Sequence, residues 1–253
     1  MKYNTLIRAG DLQAILADCV VIDVRHQLGD LAWGREVYLH GHMPGAHFLD
    51  MEHELSGAKD GSNGRHPLPE IEVFSEKLKR LGVHPGVQVV VYDQNSGAMA
   101  ARLWWMVKHW LGHDSVAVLD GGWVALLAAG GASCIKFPGT GPPGASPATG
   151  IAPCQSECES VVRVRAFLAN LQEPTFLVVD ARTPERFEGR NEPIDPVAGY
   201  IPGAVNRPQG MNLGPDGFFK PAEQLAEEWS RLLAGREPQR VVHQCGSGVT
   251  ACH

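Results

Sequence analysis

The sequence predicts an α/β protein of two tandem domains, on three observations. At 253 residues the chain exceeds one average domain and suits two, each large enough to bury its own core. Short β-branched runs alternate with helix-like stretches throughout, the pattern of a mainly parallel sheet flanked by helices. Finally, the chain repeats itself: Gly41-His42-Met43-Pro44-Gly45-Ala46 returns 158 residues later as Gly199-Tyr200-Ile201-Pro202-Gly203-Ala204, identical at four of six positions.

The elements of the two copies follow in step. Val20-Val21-Ile22-Asp23-Val24-Arg25 matches Leu177-Val178-Val179-Asp180-Ala181-Arg182, each a buried strand entering a loop through an acid, one residue and an arginine. Downstream, Val89-Val90-Val91-Tyr92 answers Val241-Val242-His243, so that Gln94 aligns with Cys245 and Ser96-Gly97 with Ser247-Gly248. Helices are expected over Leu103 to Leu111 and Ala222 to Leu233, and a strand over Val116 to Leu119. Trp104 and Trp105 read as core in the first of these helices. Between the copies, residues 137–153 hold five prolines and four glycines, which no helix or central strand accommodates. The expected organisation is therefore a domain over 1–136, a linker over 137–159 and a second domain over 160–253. By comparison with the first copy, the second reads as truncated at its C-terminus by about 30 residues, a helix and a closing strand at ordinary lengths.

Composition narrows the function class. Lys+Arg 22 against Asp+Glu 28, without a basic block, argues against nucleic acid as a partner. No apolar run reaches the ~18 residues of a membrane span, and Met1 to Asp11 lacks the apolar core of a signal peptide. Six cysteines without a secretion signal read as reduced thiols, which points to the cytoplasm. Cys154 and Cys158 lack a second Cys/His pair at suitable spacing, so no metal is expected.

The chemistry concentrates in Val241 to Thr250. In parallel α/β sheets, ligands sit beyond the carboxyl ends of the strands, where Cys245 falls. Gly246 and Gly248 permit positive φ and let backbone N–H groups curl inward as an anion nest, and a helix expected to start near Ser247 adds its positive end. A thiol in that setting ionises more readily than a free one, and the same donors would hold a persulfide's terminal sulfur. Gln94, at the matching place in the first copy, cannot act as a nucleophile, so the first domain is read as supporting. Asp23, Arg25, Asp180 and Arg182 are kept by both copies and read as structural pairs. A Cys-based phosphatase would need arginine six positions after its cysteine; Ala251 stands there.

Cys245-Gly246-Ser247-Gly248-Val249-Thr250 resembles the active-site loop of the 3-mercaptopyruvate sulfurtransferases of the rhodanese superfamily. The Asp-x-Arg pairs, both Gly-x-x-Pro-Gly-Ala motifs and Leu119-Asp120-Gly121-Gly122-Trp123 support the resemblance. It implies two tandem rhodanese-like domains, a non-catalytic one followed by a catalytic one, and ping-pong sulfur transfer: Cys245 takes sulfur from a small-molecule donor and passes it to a thiol, cyanide or thioredoxin-like acceptor. No cofactor is implied. The loop residues Gly246, Gly248, Val249 and Thr250 would hold substrate. Basic residues after the cysteine go with thiosulfate specialists; Gly246 and Ser247 are neutral, so 3-mercaptopyruvate is the expected donor and thiosulfate the alternative. The resemblance further implies a proton relay of Ser247, His66 and an acid falling at Glu52, where the pattern usually has Asp. Of two arginines expected to grip the substrate carboxylate, Arg186 matches the first. Asp195 takes the place of the second, with Arg190 as the candidate replacement. A different class stays open, a non-catalytic sulfur-carrier or thiol-sensing module loaded at Cys245.

Overall fold

The computed structural model describes residues 2–94, 96–130 and 161–253. The expected linker, 137–159, lies outside the described residues, as do Cys154 and Cys158. The chain divides into two compact units, residues 1–158 and 159–253.

The first unit is built on five parallel strands: β1 (Leu6–Ile7), β2 (Cys19–Asp23), β3 (His47–Phe48), β4 (Gln88–Tyr92) and β5 (Val116–Leu119), in the order β1-β5-β4-β2-β3. Every residue of β4 and β5 is buried, the signature of strands covered on both faces, and this explains why they read as continuous apolar runs without alternation. Helices α1 (Ala9–Ile15), α2 (Trp33–His40), α3 (Ile71–Arg80), α4 (Ala98–Trp105) and α5 (Gly122–Ala128) join the strands. Leu12, Trp123 and Leu126 pack with Val21, Val90 and Tyr92 in one cluster. Each such side chain, fully buried, stabilises the fold by roughly 1.5–3 kcal/mol. The helix expected over Leu103 to Leu111 starts earlier, at Ala98, and ends in a π turn, Met106–Trp110, where the Leu111 N–H reaches back five residues to the Met106 carbonyl at 3.0 Å. Gly112, at φ 75°, terminates it.

The second unit carries β6 (Leu177–Asp180), β7 (Val205–Asn206) and β8 (Val241–Gln244), parallel in the order β7-β6-β8. With them come α6 (Val164–Gln172), α7 (Pro184–Phe187) and α8 (Ala222–Leu233). Leu177, Val179 and Leu233 form its core, with Trp229, Leu232, Val205 and Val241 against them. Helix α8 spans the expected residues, and Ala234 in the left-handed region closes it with its N–H on the Ser230 carbonyl. Two parallel sheets with intervening helices meet the fold class the sequence predicts. Among the described residues, no helix is long and apolar enough to cross a membrane.

The repeated motifs prove to be one device used twice. Arg25 Nη2 donates to Asp23 Oδ2 at 2.7 Å and to the Gly41 carbonyl at 2.7 Å; Arg182 Nη2 donates to Asp180 Oδ2 and to the Gly199 carbonyl at the same two distances. The Asp-x-Arg motif thus ties the strand end to the first glycine of Gly-x-x-Pro-Gly-Ala. That second motif is a tight turn: the Ala46 N–H meets the Met43 carbonyl and the Ala204 N–H the Ile201 carbonyl, both at 2.9 Å. Proline pre-sets φ at the second turn position, and glycine at the third takes the positive φ (75° at Gly45, 83° at Gly203) that a type II turn requires.

Candidate active site

Strand β8 delivers Cys245 at its carboxyl end, 7% exposed. The Gly248 N–H points back at Cys245 Sγ, 3.2 Å away. Gly248 does this at φ 77°, a conformation that costs an L-residue about 1–2 kcal/mol. Gly248 takes positive φ and Gly246 does not. Over the described residues, the helix expected near Ser247 is represented by a bend at 246–249 and a single 3-10 turn at Thr250–Cys252, with the Cys252 N–H on the Val249 carbonyl and the His253 N–H on the Thr250 carbonyl. Val249 is buried, while Gly246, Ser247 and Thr250 are half-buried around the sulfur's loop. Gln244 donates through Nε2 to the Cys245 carbonyl.

The first unit shows what this loop shape is for. Gly97, aligned with Gly248, sits at φ 76° and donates its N–H to Asp93 Oδ1 at 3.0 Å, while the Met99 and Ala100 N–H groups reach Oδ2 at 2.9 and 3.3 Å. In that copy, then, the nest encloses an internal carboxylate at the head of α4. In the second copy Gln244 stands where Asp93 does, and the Gly248 N–H turns to the thiol one residue later. Sequence reading missed Asp93; its signal was an acid four residues before the left-handed glycine.

Arg182 follows the neighbouring strand β6 and is bonded to Asp180, Glu192 and the Gly199 carbonyl. Its guanidinium is held above its ordinary pKa, first by the hydrogen bond to Asp180, with burial opposing, and then by the charges of Asp180, Glu192 and the Cys245 thiolate. Arg182 Nη1 also meets Glu192 Oε2 at 3.3 Å. Glu192, only 3% exposed at its side chain, is a hub that sequence reading overlooked. It accepts from Arg186 Nε at 3.1 and 3.0 Å and, through Oε1, from the Ile194 and Asp195 N–H groups at 3.0 Å. The Arg186 hydrogen bond is the main reason its carboxyl sits below the ordinary glutamate value.

Arg186 has a second partner. Its Nη2 lies 2.8 Å from Asp195 Oδ2, the residue standing where a second arginine was expected. Arg190 does not fold over to that place: it is exposed and paired with Glu188, while its N–H caps the Glu185 carbonyl at 2.9 Å.

In the first unit Glu52 and His66 come together, Glu52 Oε1 lying 2.7 Å from His66 Nε2 and Oε2 2.7 Å from Lys59 Nζ. Burial pushes His66 below its ordinary pKa, with the Glu52 hydrogen bond and charge opposing. Burial raises Glu52, but the hydrogen bonds and charges of Lys59 and His66 outweigh it and bring the carboxyl below its ordinary value. His66 Nδ1 is buried with no hydrogen-bond partner among the described residues, which leaves one face of the ring uncommitted. Arg102 Nη2 fixes the segment by donating to the His66 carbonyl at 3.1 Å. Among the described residues, no group of three or more His, Cys, Asp and Glu is placed to hold a metal.

Comparison with known proteins fits this geometry. A family model described as a rhodanese-like domain matches residues 8–129 and again 164–253, both copies of the repeat. A Pseudomonas aeruginosa protein provisionally named 3-mercaptopyruvate sulfurtransferase is 45% identical, over 100% of this chain and 88% of its own length. A Mycobacterium tuberculosis protein provisionally named thiosulfate sulfurtransferase is 38% identical over 97% of this chain and 81% of its own. Among solved structures, the 3-mercaptopyruvate sulfurtransferase from Leishmania major superposes with a TM-score of 0.83 at 28% identity, covering 98% of this chain and 67% of that one. Two parallel sheets, a doubled Asp-x-Arg and Gly-x-x-Pro-Gly-Ala device and a cysteine at the matching strand end have one source: the chain belongs to the rhodanese family.

Proposed function

We propose that this protein is a sulfurtransferase moving sulfane sulfur from 3-mercaptopyruvate to a thiol, cyanide or thioredoxin-like acceptor through a persulfide on Cys245. The observation that carries the reading is the Gly248 N–H on Cys245 Sγ at 3.2 Å, in a loop whose counterpart encloses a carboxylate. That donor holds the sulfur at the strand end, where its thiolate form would attack. The thiolate attacks the donor's sulfur and the C–S bond breaks, its electron pair leaving on carbon as the enolate of pyruvate. That enolate takes up a proton, and Ser247, His66 and Glu52 are the proposed relay. An acceptor thiolate or cyanide then attacks the outer sulfur of the persulfide, the S–S bond breaks, and the Cys245 thiolate returns.

In this reading residues 1–136 form the non-catalytic domain, 137–159 the linker and 160–253 the catalytic domain. Gly246, Gly248, Val249 and Thr250 line the sulfur's side of the site and Arg186 faces the donor's carboxylate; Arg190, paired with Glu188, drops out of that grip. Cys19 and Cys245 are free thiols, which suits a reducing compartment such as the cytoplasm.

One observation favours a second donor. Arg186 is engaged by Glu192 and Asp195, which weakens its grip on a carboxylate and keeps thiosulfate in play. Steady-state transfer to cyanide, read as thiocyanate, with the two donors compared, decides between them. A higher kcat/KM with 3-mercaptopyruvate supports the proposal, and a higher value with thiosulfate replaces its donor. Single loading of Cys245 without turnover would make the chain a sulfur carrier.

A further inference from the structure

Arg186 is paired with two acids that the proposed chemistry does not use. Its Nε and Nη2 meet Glu192 at 2.9–3.1 Å, and Nη2 meets Asp195 Oδ2 at 2.8 Å. The two acids differ in kind. Glu192 is buried, shared with Arg182 and bonded to two backbone N–H groups, so it is a fixed part of the fold. Asp195 is more exposed, 21% at its side chain against 3%, and sits in the loop that follows. Its carboxylate meets one edge of a guanidinium that Glu192 holds from the other. A carboxylate on that edge, at charge-assisted hydrogen-bond distance, has the chemistry and geometry of a bound carboxylate ligand. Glu192 couples Arg186 to Arg182, whose guanidinium is tied to Asp180 at the end of β6.

We propose that Asp195 is a specificity-determining residue, an internal carboxylate that occupies Arg186 in the resting site and that a carboxylate-bearing donor must displace. This rests on the sulfurtransferase reading for its substrate, though not for its test. Binding of such a donor is weakened by competition from Asp195, whereas sulfur transfer at Cys245 is untouched, so the effect falls on KM and leaves kcat alone.

The test is calorimetric titration of pyruvate, which carries the carboxylate but no transferable sulfur, into the parent and into Asp195→Asn and Asp195→Glu. Asparagine keeps the size and hydrogen bonding of aspartate without its charge, and glutamate restores the charge. Pyruvate is expected to bind about 3- to 10-fold more tightly to Asp195→Asn than to the parent, with Asp195→Glu close to the parent and the gain lost in Arg186→Met/Asp195→Asn. With 3-mercaptopyruvate as donor, KM should fall by a similar factor in Asp195→Asn while kcat stays within twofold. Equal pyruvate affinity in parent and Asp195→Asn, including no detectable binding to either, overturns the proposal, as does a gain that survives Arg186→Met. Tighter pyruvate binding without turnover of 3-mercaptopyruvate in any variant would leave Asp195's role standing and remove the donor assignment instead.

Discussion

The backbone N–H of Gly248 lies 3.2 Å from Cys245 Sγ, at the turn position where Gly97 offers its N–H to Asp93 at 3.0 Å. Both glycines sit within a degree of one another in φ, at 77° and 76°. One loop shape therefore serves two acceptors, a cysteine sulfur in one copy and a structural carboxylate in the other. Alanine at either site must adopt the left-handed region, at about 1–2 kcal/mol. Gly97→Ala and Gly248→Ala should each lower the melting temperature of their own unit by several degrees. Only Gly248→Ala should lower turnover, by roughly 10- to 100-fold, as the N–H swings off the sulfur. Equal losses of activity in the two variants would show that the loop acts through stability alone.

Replacing the nucleophile separates carrier chemistry from catalysis. Cys245→Ser should lose at least about 10³-fold in kcat, since a hydroxyl in the same nest neither ionises nor holds sulfane sulfur. Mass spectrometry of the parent after one equivalent of donor should find one added sulfur atom on the peptide containing Cys245, and none on those containing Cys19 or Cys252. Sulfur appearing on Cys252 would move the acceptor role onto the next thiol of the loop.

How far the sequence shows these features depends on the distance over which each is determined. The strands were legible because burial on both faces forces β-branched runs, as at Val89 to Tyr92 and Leu177 to Asp180. The turns were legible because Pro44-Gly45 and Pro202-Gly203 each have one conformation that suits both residues. The pairing of Glu52 with His66 came through resemblance, since 14 residues of loop separate them and no local rule brings them together. The fate of Arg186 could not be read at all: which acid an arginine meets is decided by the path of residues 188 to 195, and the carboxylate of Asp195 was legible only as a missing arginine.

Acid should weaken the first unit in a way that His66 helps to set. Burial depresses the His66 pKa, so the unfolded chain takes up the proton first as pH falls. The stability this gives is full above the ordinary histidine value of about 6.5 and declines as pH drops toward the depressed folded value. Glu52, depressed by Lys59 and His66, contributes stability that is full above the ordinary carboxylate range and is lost at still lower pH. Urea unfolding of parent and His66→Gln between pH 7.5 and 5 should show a shallower decline in the variant. It should not be flat, because burial also depresses His26, His47 and His113. Glu52→Gln should remove the charge that favours protonated His66 and move the acid limb of the pH–rate profile downward; an unmoved limb would take His66 out of the relay.

The Asp23–Arg25 pair predicts a pH dependence of opposite sign. Asp23 is wholly buried, and burial raises its carboxyl above the ordinary value despite the hydrogen bonds and charge of Arg25 and the hydroxyl of Tyr92 at 2.7 Å. An acid with a raised folded pKa holds its proton longer in the native state, so its contribution declines as pH rises through that value. Arg25→Met deletes the main opposing charge and leaves a buried carboxylate without its cation, a loss of about 3–5 kcal/mol near pH 7.5. Because Asp23 can then protonate instead, the loss should shrink on acidification, against the trend His66 imposes on the parent. Arg182→Met should repeat the stability defect in the second unit, where Asp180 is equally buried, and should add a loss of activity, since Arg182 also steadies Glu192, which holds Arg186. Chemical denaturation of both variants at pH 7.5 and 5, with turnover measured alongside, separates the two: activity lost equally in Arg25→Met and Arg182→Met would mean that the second copy's device does no more for the sulfur than the first.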